Sequence, residues 1–241
     1  MDPVIEFNPD FRLEVRPLPA GGVVLVLDDV LRQPEQLVAM ACARQQEMVS
    51  DPRWQYPGRE LVMPATVAEP LARFFRRHCR EHFQLSRVVR EAFARLSMVT
   101  LPPSELSWVQ RMCHTDAPAD LAGDRVIASV LYLFHDETLG GTAFFRPREG
   151  VPPYHSLLRN GVPEEGASRF GFFQQPPAYH TDSNEFFERV ELVPARWNRI
   201  IFYPGDVPHS GHIQAPERLT DDPSTGRLTL NGFYRVAAIN R

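Results

Sequence analysis

The texture of the second half of the chain constrains its fold more than any other feature. From about residue 100 onward, short β-prone runs follow one another: Val126 to Phe134, Thr142 to Phe145, Phe187 to Val193, Ile200 to Tyr203 and Leu228 to Ile239. Gly140-Gly141, Pro194, Pro204-Gly205 and Gly226 stand between them. Glycine turns where other residues are strained and proline cannot donate to a ladder, so each run ends where the backbone must change direction. Runs this short and this regularly punctuated predict a β-sandwich or barrel. The first half reads differently. Gly21 to Leu31 is an apolar run that predicts a buried strand. Pro34 to Val49 carries Leu37, Met40, Ala41 and Met48 at helical spacing, and a second helix beginning between Thr66 and Pro70 has the stripe Leu71, Phe74, Phe75, Cys79 and Phe83. A third stretch, Arg87 to Leu96, also reads as helical. The expected class is therefore α+β, with helices packed on a sheet.

At 241 residues the chain suits one structural domain around a single core. Within it, residues 1–95 are expected to form a supporting strand and helices, and residues 96–241 the β core. A Gly- and Pro-rich stretch with little periodicity, residues 147–177, interrupts that core, and a loop of this length is usually functional or mobile.

Composition removes several function classes. All 26 basic side chains counted as Lys or Arg are arginine, so no lysine is present to form a Schiff base or to bind phosphate in a P-loop. The net charge of −4 argues against general affinity for nucleic acid. No apolar run is long enough to cross a bilayer and no secretory signal is visible at the start, so no membrane partner is expected and the cytoplasm is the expected compartment. Cys42, Cys79 and Cys113 are odd in number and widely spaced, which predicts reduced thiols rather than a disulfide framework or a metal knuckle. No GxGxxG after a strand and no GxSxG elbow occurs.

What remains is metal chemistry. His114-Thr115-Asp116 places an imidazole and a carboxylate on one face if the segment is a strand, because side chains alternate with period two. Those are two ligands of a 2-His-1-carboxylate facial triad, which leaves positions on iron(II) open for a cosubstrate and oxygen. The motif occurs twice, the second time as His180-Thr181-Asp182. A distal histidine needs intervening strands to bring the chain back, and Asp182 lies only 27 positions before His209, which favours the first copy. His212, three residues after His209, competes for the distal role. His78 and His82 lie four apart on a helix, without a third ligand nearby.

The ordered run of motifs resembles the prolyl-hydroxylase-like branch of the 2-oxoglutarate/iron(II)-dependent dioxygenases. His114-Thr115-Asp116 leads through Ala122-Gly123-Asp124-Arg125 into a strand ending Tyr132-Leu133, then Gly140-Gly141-Thr142. Asn198-Arg199-Ile200-Ile201-Phe202, Pro208-His209-Ser210 and Gly226-Arg227-Leu228-Thr229-Leu230 follow in the family's order, and the likeness spans about residues 95 to 238. The resemblance implies a double-stranded β-helix (jelly-roll) core that uses iron(II), 2-oxoglutarate and dioxygen and releases succinate and carbon dioxide while oxidising a prime substrate. It implies His114, Asp116 and His209 as iron ligands, Arg227 as the partner of the distal carboxylate of 2-oxoglutarate, and Tyr132 as a donor to the same group. The gap from His209 to Arg227 exceeds the family's usual one, which makes Arg218 a competitor for that arginine. The aspartate favours hydroxylation over halogenation. The substrate is expected to be a small molecule or peptide (an amino acid, a protein side chain or a natural product), with Tyr154, His155, Tyr179 and His180 as residues able to meet it. Two other readings stand beside this one: a non-catalytic β-helix that serves as a binding module, and a cupin-like metalloenzyme that does not use 2-oxoglutarate and has no need of Arg227 or Tyr132.

Overall fold

The computed structural model describes residues 5–19, 21–51, 56–117, 121, 123–149 and 174–238. Along the chain come β1 (Arg12–Pro17), β2 (Val23–Asp28), α1 (Glu35–Ala43), β3 (Gly58–Val62), α2 (Ala65–Phe74), β4 (Leu85–Val99), β5 (Asp124–Tyr132) and β6 (Thr142–Pro147). Then follow β7 (Phe187–Val193), β8 (Ile200–Pro204), β9 (His209–Gly211) and β10 (Arg227–Ala238). Among the described residues the fold is mostly β, with the two α-helices α1 and α2. A seven-stranded sheet has the order β1-β2-β8-β5-β10-β4-β3, and a three-stranded sheet the order β7-β6-β9. Every strand pairing among the described residues is antiparallel.

Strand alternation divides the apolar runs between two cores. In β2, Val24 and Val26 face one way and Leu25 and Leu27 the other; in β8, Ile201 and Tyr203 oppose Ile200 and Phe202. The first set joins Ala128 and Tyr132 of β5 with Phe144 of β6 and Val193 of β7, so one core lies between the two sheets. The second set shares a cluster with Leu37, Met40 and Ala41 of α1 and with Val67, Leu71 and Phe74 of α2. The central strands are buried on both faces, which is why they read as continuous apolar runs rather than as alternating ones. The α2 stripe continues past the helix through a π turn, Phe75–Cys79, and a 3-10 turn, Arg80–Phe83, with Phe75 and Cys79 fully buried.

The helix expected over Arg87 to Leu96 does not form: these residues belong to β4. Arginine, glutamate, alanine and leucine favour helix by only about 0.5 kcal/mol per residue over other ordinary residues. Against that small bias, β4 pairs along most of its length with β10 and also with β3. Its period-two pattern then buries Ala94, Leu96 and Met98 on the helix-covered face. β4 also runs across the expected boundary at residue 95, and β1 to β3 are strands of the large sheet. Of the 147–177 insert only residues 147–149 and 174–177 are described, so its expected role at the site falls largely outside the described residues.

Candidate metal centre

His114, Asp116 and His209 converge, each offering one ligand atom, with all three atoms within 4.8 Å of one another. No other group of three or more His, Cys, Asp or Glu side chains converges in this way among the described residues. The segment carrying His114 and Asp116 is not a strand, as the alternation argument required. His114 makes one isolated bridge to His209, in which each amide donates to the other's carbonyl at 2.9 Å. Asp116 lies in the irregular segment that follows, its amide donating to the Gly205 carbonyl at 2.8 Å. Two separate main-chain anchors therefore turn both side chains toward His209.

His209 opens β9 with its ring buried, and its Nδ1 lies 2.9 Å from the Val207 carbonyl. A proton on Nδ1 donated to that carbonyl leaves the Nε2 lone pair facing the cluster, the arrangement that orients a metal-bound imidazole. Asp116 stands between the two histidines: Oδ1 is 3.7 Å from His114 Nε2, and Oδ2 is 3.2 Å from His209 Nε2. Burial opposes ionisation of Asp116, but His209, His114 and the Tyr203 hydroxyl together hold its carboxyl below the usual range. Burial likewise works against a charged His209, yet the Asp116 carboxylate raises it overall. Crowding and the neighbouring His209 ring hold His114 below the ordinary imidazole range, while 48% of its side chain stays open to solvent. The cluster is thus closed at His209 and open at His114. Asp116 Oδ2 is buried and accepts no hydrogen bond. A buried carboxylate oxygen without a donor is costly, and a cation between two imidazoles satisfies it, so the donor set fits iron(II).

Arg227 begins β10, opposite Val99 of β4, and is only 5% exposed. Its Nε donates to the carbonyls of Leu139 (3.0 Å) and Gly140 (3.2 Å), and its Nη2 to that of Gly141 (3.0 Å). The Gly140-Gly141 pair lets the turn that presents these carbonyls pack directly against neighbouring backbone. Gly140 has φ +91°, and a Cβ at either glycine would collide with backbone, the His212 carbonyl in one case and the Val193 carbonyl in the other. A Cβ at Gly211, two residues beyond His209 on β9, would lie 3.5 Å from Arg227 Nη2, so the guanidinium passes close to the ligand-bearing strand. No carboxylate among the described residues pairs with Arg227. A buried cation of this kind is complete only with an anion. Arg218, by contrast, is half exposed and already paired with Asp136 at 2.6 Å.

The remaining expected residues lie as follows. Tyr132 is buried, with its hydroxyl 2.8 Å from Thr142 Oγ1. The Tyr179 hydroxyl donates to the Leu101 carbonyl at 2.6 Å. His180 is 2% exposed and accepts a hydrogen bond from the Cys113 amide, while Asp182 is largely exposed beside Arg189. His212 lies 3.2 Å from Arg189 Nη1 and outside the cluster. His78 packs against the rings of Phe11 and Phe74. Tyr154 and His155 fall outside the described residues.

Two residues at the site were missed. Tyr203, on β8 of the large sheet, brings its hydroxyl to Asp116; it stands two positions after Ile201 on the inward face, so alternation could have found it. Tyr56 precedes β3, and its buried hydroxyl makes no hydrogen bond of good geometry, although Thr229 and Arg227 are its neighbours. Burial pushes its phenol well up, so it stays a neutral donor. Nothing in its local sequence marks it beyond an aromatic ahead of Pro57-Gly58.

Among solved structures, the chain is similar to HygX from Streptomyces hygroscopicus with nickel and 2-oxoglutarate bound, at 11% identity and a TM-score of 0.47, over 90% of this chain and 83% of that one. It is also similar to SnoN, a non-heme alpha ketoglutarate dependent epimerase from nogalamycin biosynthesis, at 14% identity and a TM-score of 0.40, over 88% of this chain and 76% of that one. No curated protein matches it. A family model does match, over residues 9–234, and so covers the strands from β1 to most of β10 together with the cluster and Arg227. By that match the chain belongs to DUF6445, a family of unknown function.

Proposed function

We propose that this chain is a non-haem iron(II), 2-oxoglutarate-dependent oxygenase built on a double-stranded β-helix, whose stacked sheets hold the site between them. One observation carries the reading: a His-Asp-His cluster and a buried arginine without a counter-ion among the described residues are brought together by the same short strand, β9. His114, Asp116 and His209 would hold the iron. Arg227 would receive the distal carboxylate of 2-oxoglutarate through its planar fork. Tyr132 lies close enough to Arg227 to feel its charge and can turn its hydroxyl from Thr142 to the same carboxylate. Tyr56, whose hydroxyl lies beside Thr229 and Arg227 without a hydrogen bond of good geometry among the described residues, supplies a second donor. The iron, when bound, supplies the oxygen chemistry that couples loss of carbon dioxide from the keto acid to oxidation of the prime substrate.

The chain's own residues do the rest. His209 Nε2 and Asp116 present their lone pairs inward; the Val207 carbonyl holds the His209 ring in that orientation, and the Tyr203 hydroxyl lies beside Asp116. The exposed edge of His114 leaves one side of the cluster accessible to a substrate. The order of motifs along the chain supports the prolyl-hydroxylase-like branch, and the substrate class remains an amino acid, peptide or natural product. A cupin-like metalloenzyme that binds metal alone gives Arg227 no role, and a non-catalytic module gives none to the unpaired oxygen of Asp116. Anaerobic addition of iron(II) and then 2-oxoglutarate separates the three. The oxygenase develops the weak visible charge-transfer band of the chelate. A protein that binds iron without developing the band is the metalloenzyme, and one that binds neither is the module.

A further inference from the structure

The second His-x-Asp motif is absent from the metal cluster, yet its histidine touches the chain on both sides of it. The Cys113 amide, one residue before His114, donates to His180 Nδ1 at 2.8 Å. The Ser210 hydroxyl, one residue after His209, donates to the His180 carbonyl. The ring packs on Phe145, with centroids 4.3 Å apart, and the Phe145 amide in turn donates to the carbonyl of Pro208, one residue before His209. All of this is buried: His180 is 2% exposed, Cys113 and Phe145 are 0%, and Ser210 is 7%. With Nδ1 accepting, the ring proton sits on Nε2, and the Asp182 main chain is a hydrogen-bond partner of the ring. One residue thus joins the two ligand-bearing segments on the Cys113 and Ser210 side of the reciprocal bridge of His114 and His209, opposite the side where the amides of Asp116 and Ala117 donate to the Gly205 carbonyl.

We propose that His180 is a positioning residue for the metal centre, a buried clamp that fixes the separation of His114 and His209 so that the metal enters a preformed site. The inference rests on the metal-binding reading above. The Gly205 carbonyl braces the bridge on the Asp116 side only, so the ligand pair can still splay at the other; a tie at Cys113 and Ser210, one position beyond each histidine, removes that freedom before the metal arrives. Outer partners that orient ligands are typically worth about 10- to 100-fold in metal affinity.

The test uses cobalt(II), whose visible absorption reports both occupancy and geometry, titrated into the full chain and into His180→Leu, His180→Asn and Ser210→Ala. Leucine keeps the apolar contact with Phe145 and removes the acceptor for the Cys113 amide. Asparagine carries Oδ1 near the position of Nδ1. Leu37→Ala, which cavitates the core under α1, serves as the control for stability alone. The expected result is a loss of about 10- to 100-fold in cobalt affinity for His180→Leu, with an altered band. Partial recovery is expected in His180→Asn, and unchanged affinity in Leu37→Ala even at a comparable fall in Tm. Wild-type affinity and band shape in a folded His180→Leu would overturn the proposal, as would an asparagine variant no better than leucine. If His180→Leu does not fold, Ser210→Ala, which deletes a single hydroxyl, decides: weakened cobalt binding supports the clamp and unchanged binding overturns it. If the wild-type chain binds no cobalt, the metal reading itself fails, which is a separate result from failure of the clamp.

Discussion

Replacing Arg227 with methionine tests the cosubstrate reading directly. The side chain is 5% exposed and donates three hydrogen bonds, all to main-chain carbonyls. Methionine fills similar length and leaves the carbonyls of Leu139, Gly140 and Gly141 without that donor, at about 1–3 kcal/mol for each one that water cannot reach. It also relieves the burial of a charge that has no carboxylate beside it among the described residues, which offsets part of that loss. Stability without cosubstrate should therefore change by less than the three bonds suggest. Binding should change much more. Removing one partner of a buried, hydrogen-bonded charge pair costs about 2–5 kcal/mol, so 2-oxoglutarate should bind about 30-fold to several thousand-fold more weakly, with iron retained. Anaerobic titration of the iron-loaded protein reads this through the charge-transfer band. A thermal shift gives an independent readout: at a concentration of about 100 Kd the wild-type chain gains about 2.7 kcal/mol from the ligand, and at that same concentration the variant gains little. Arg218→Met is the control, because its partner Asp136 is at the surface and exposed pairs contribute about 0–1 kcal/mol. Affinities for wild type and Arg227→Met within about threefold of each other would refute the reasoning.

Three further outcomes follow from the site and its surroundings. Alanine at His114, Asp116 or His209 should each abolish stoichiometric iron in a folded protein, whereas Asp182→Ala, at an exposed position beside Arg189, should leave it; metal analysis of the purified variants checks this. Asp28 is held below the usual carboxylate range mainly by its hydrogen bonds to Arg199, against the opposing effect of burial. Its folded-state pKa is thus below the unfolded one, so its stabilisation is complete above the ordinary aspartate pKa and is lost as pH falls through the folded value. Urea unfolding of Asp28→Asn should show a deficit at neutral pH that closes as the pH is taken below about 4, and a deficit constant with pH would contradict the ion pair. Finally, Cys79 and Cys113 are buried with their thiols pushed up by burial, and Cys42 is exposed, so a thiol reagent should modify Cys42 alone in the native chain and all three after denaturation.

The local sequence determined a good deal. The apolar runs of β2, β5, β6, β7, β8 and β10 lie where alternation and the intervening Gly and Pro residues put them, because both signals act within a few residues. The α2 stripe is equally local, since a helix face is set by its own spacing. What the tertiary structure decided is whatever depends on partners far along the chain. β4 is built of helix-favouring residues and is a strand because β10, more than 100 positions away, pairs with it. The two His-x-Asp copies look alike on paper; one meets His209 and the other packs behind it, since only the register of β9 against β6 and His114 fixes which histidines converge. Arg218 and Arg227 precede the same Leu-Thr pair, and burial alone separates them, one at the surface on Asp136 and one threaded past Gly140 and Gly141. Tyr56 carries no local mark, because its relation to Arg227 exists only once the chain has folded. Spacing states what a segment can present. Which presented groups meet is settled by ladders and burial between segments that share no local signal.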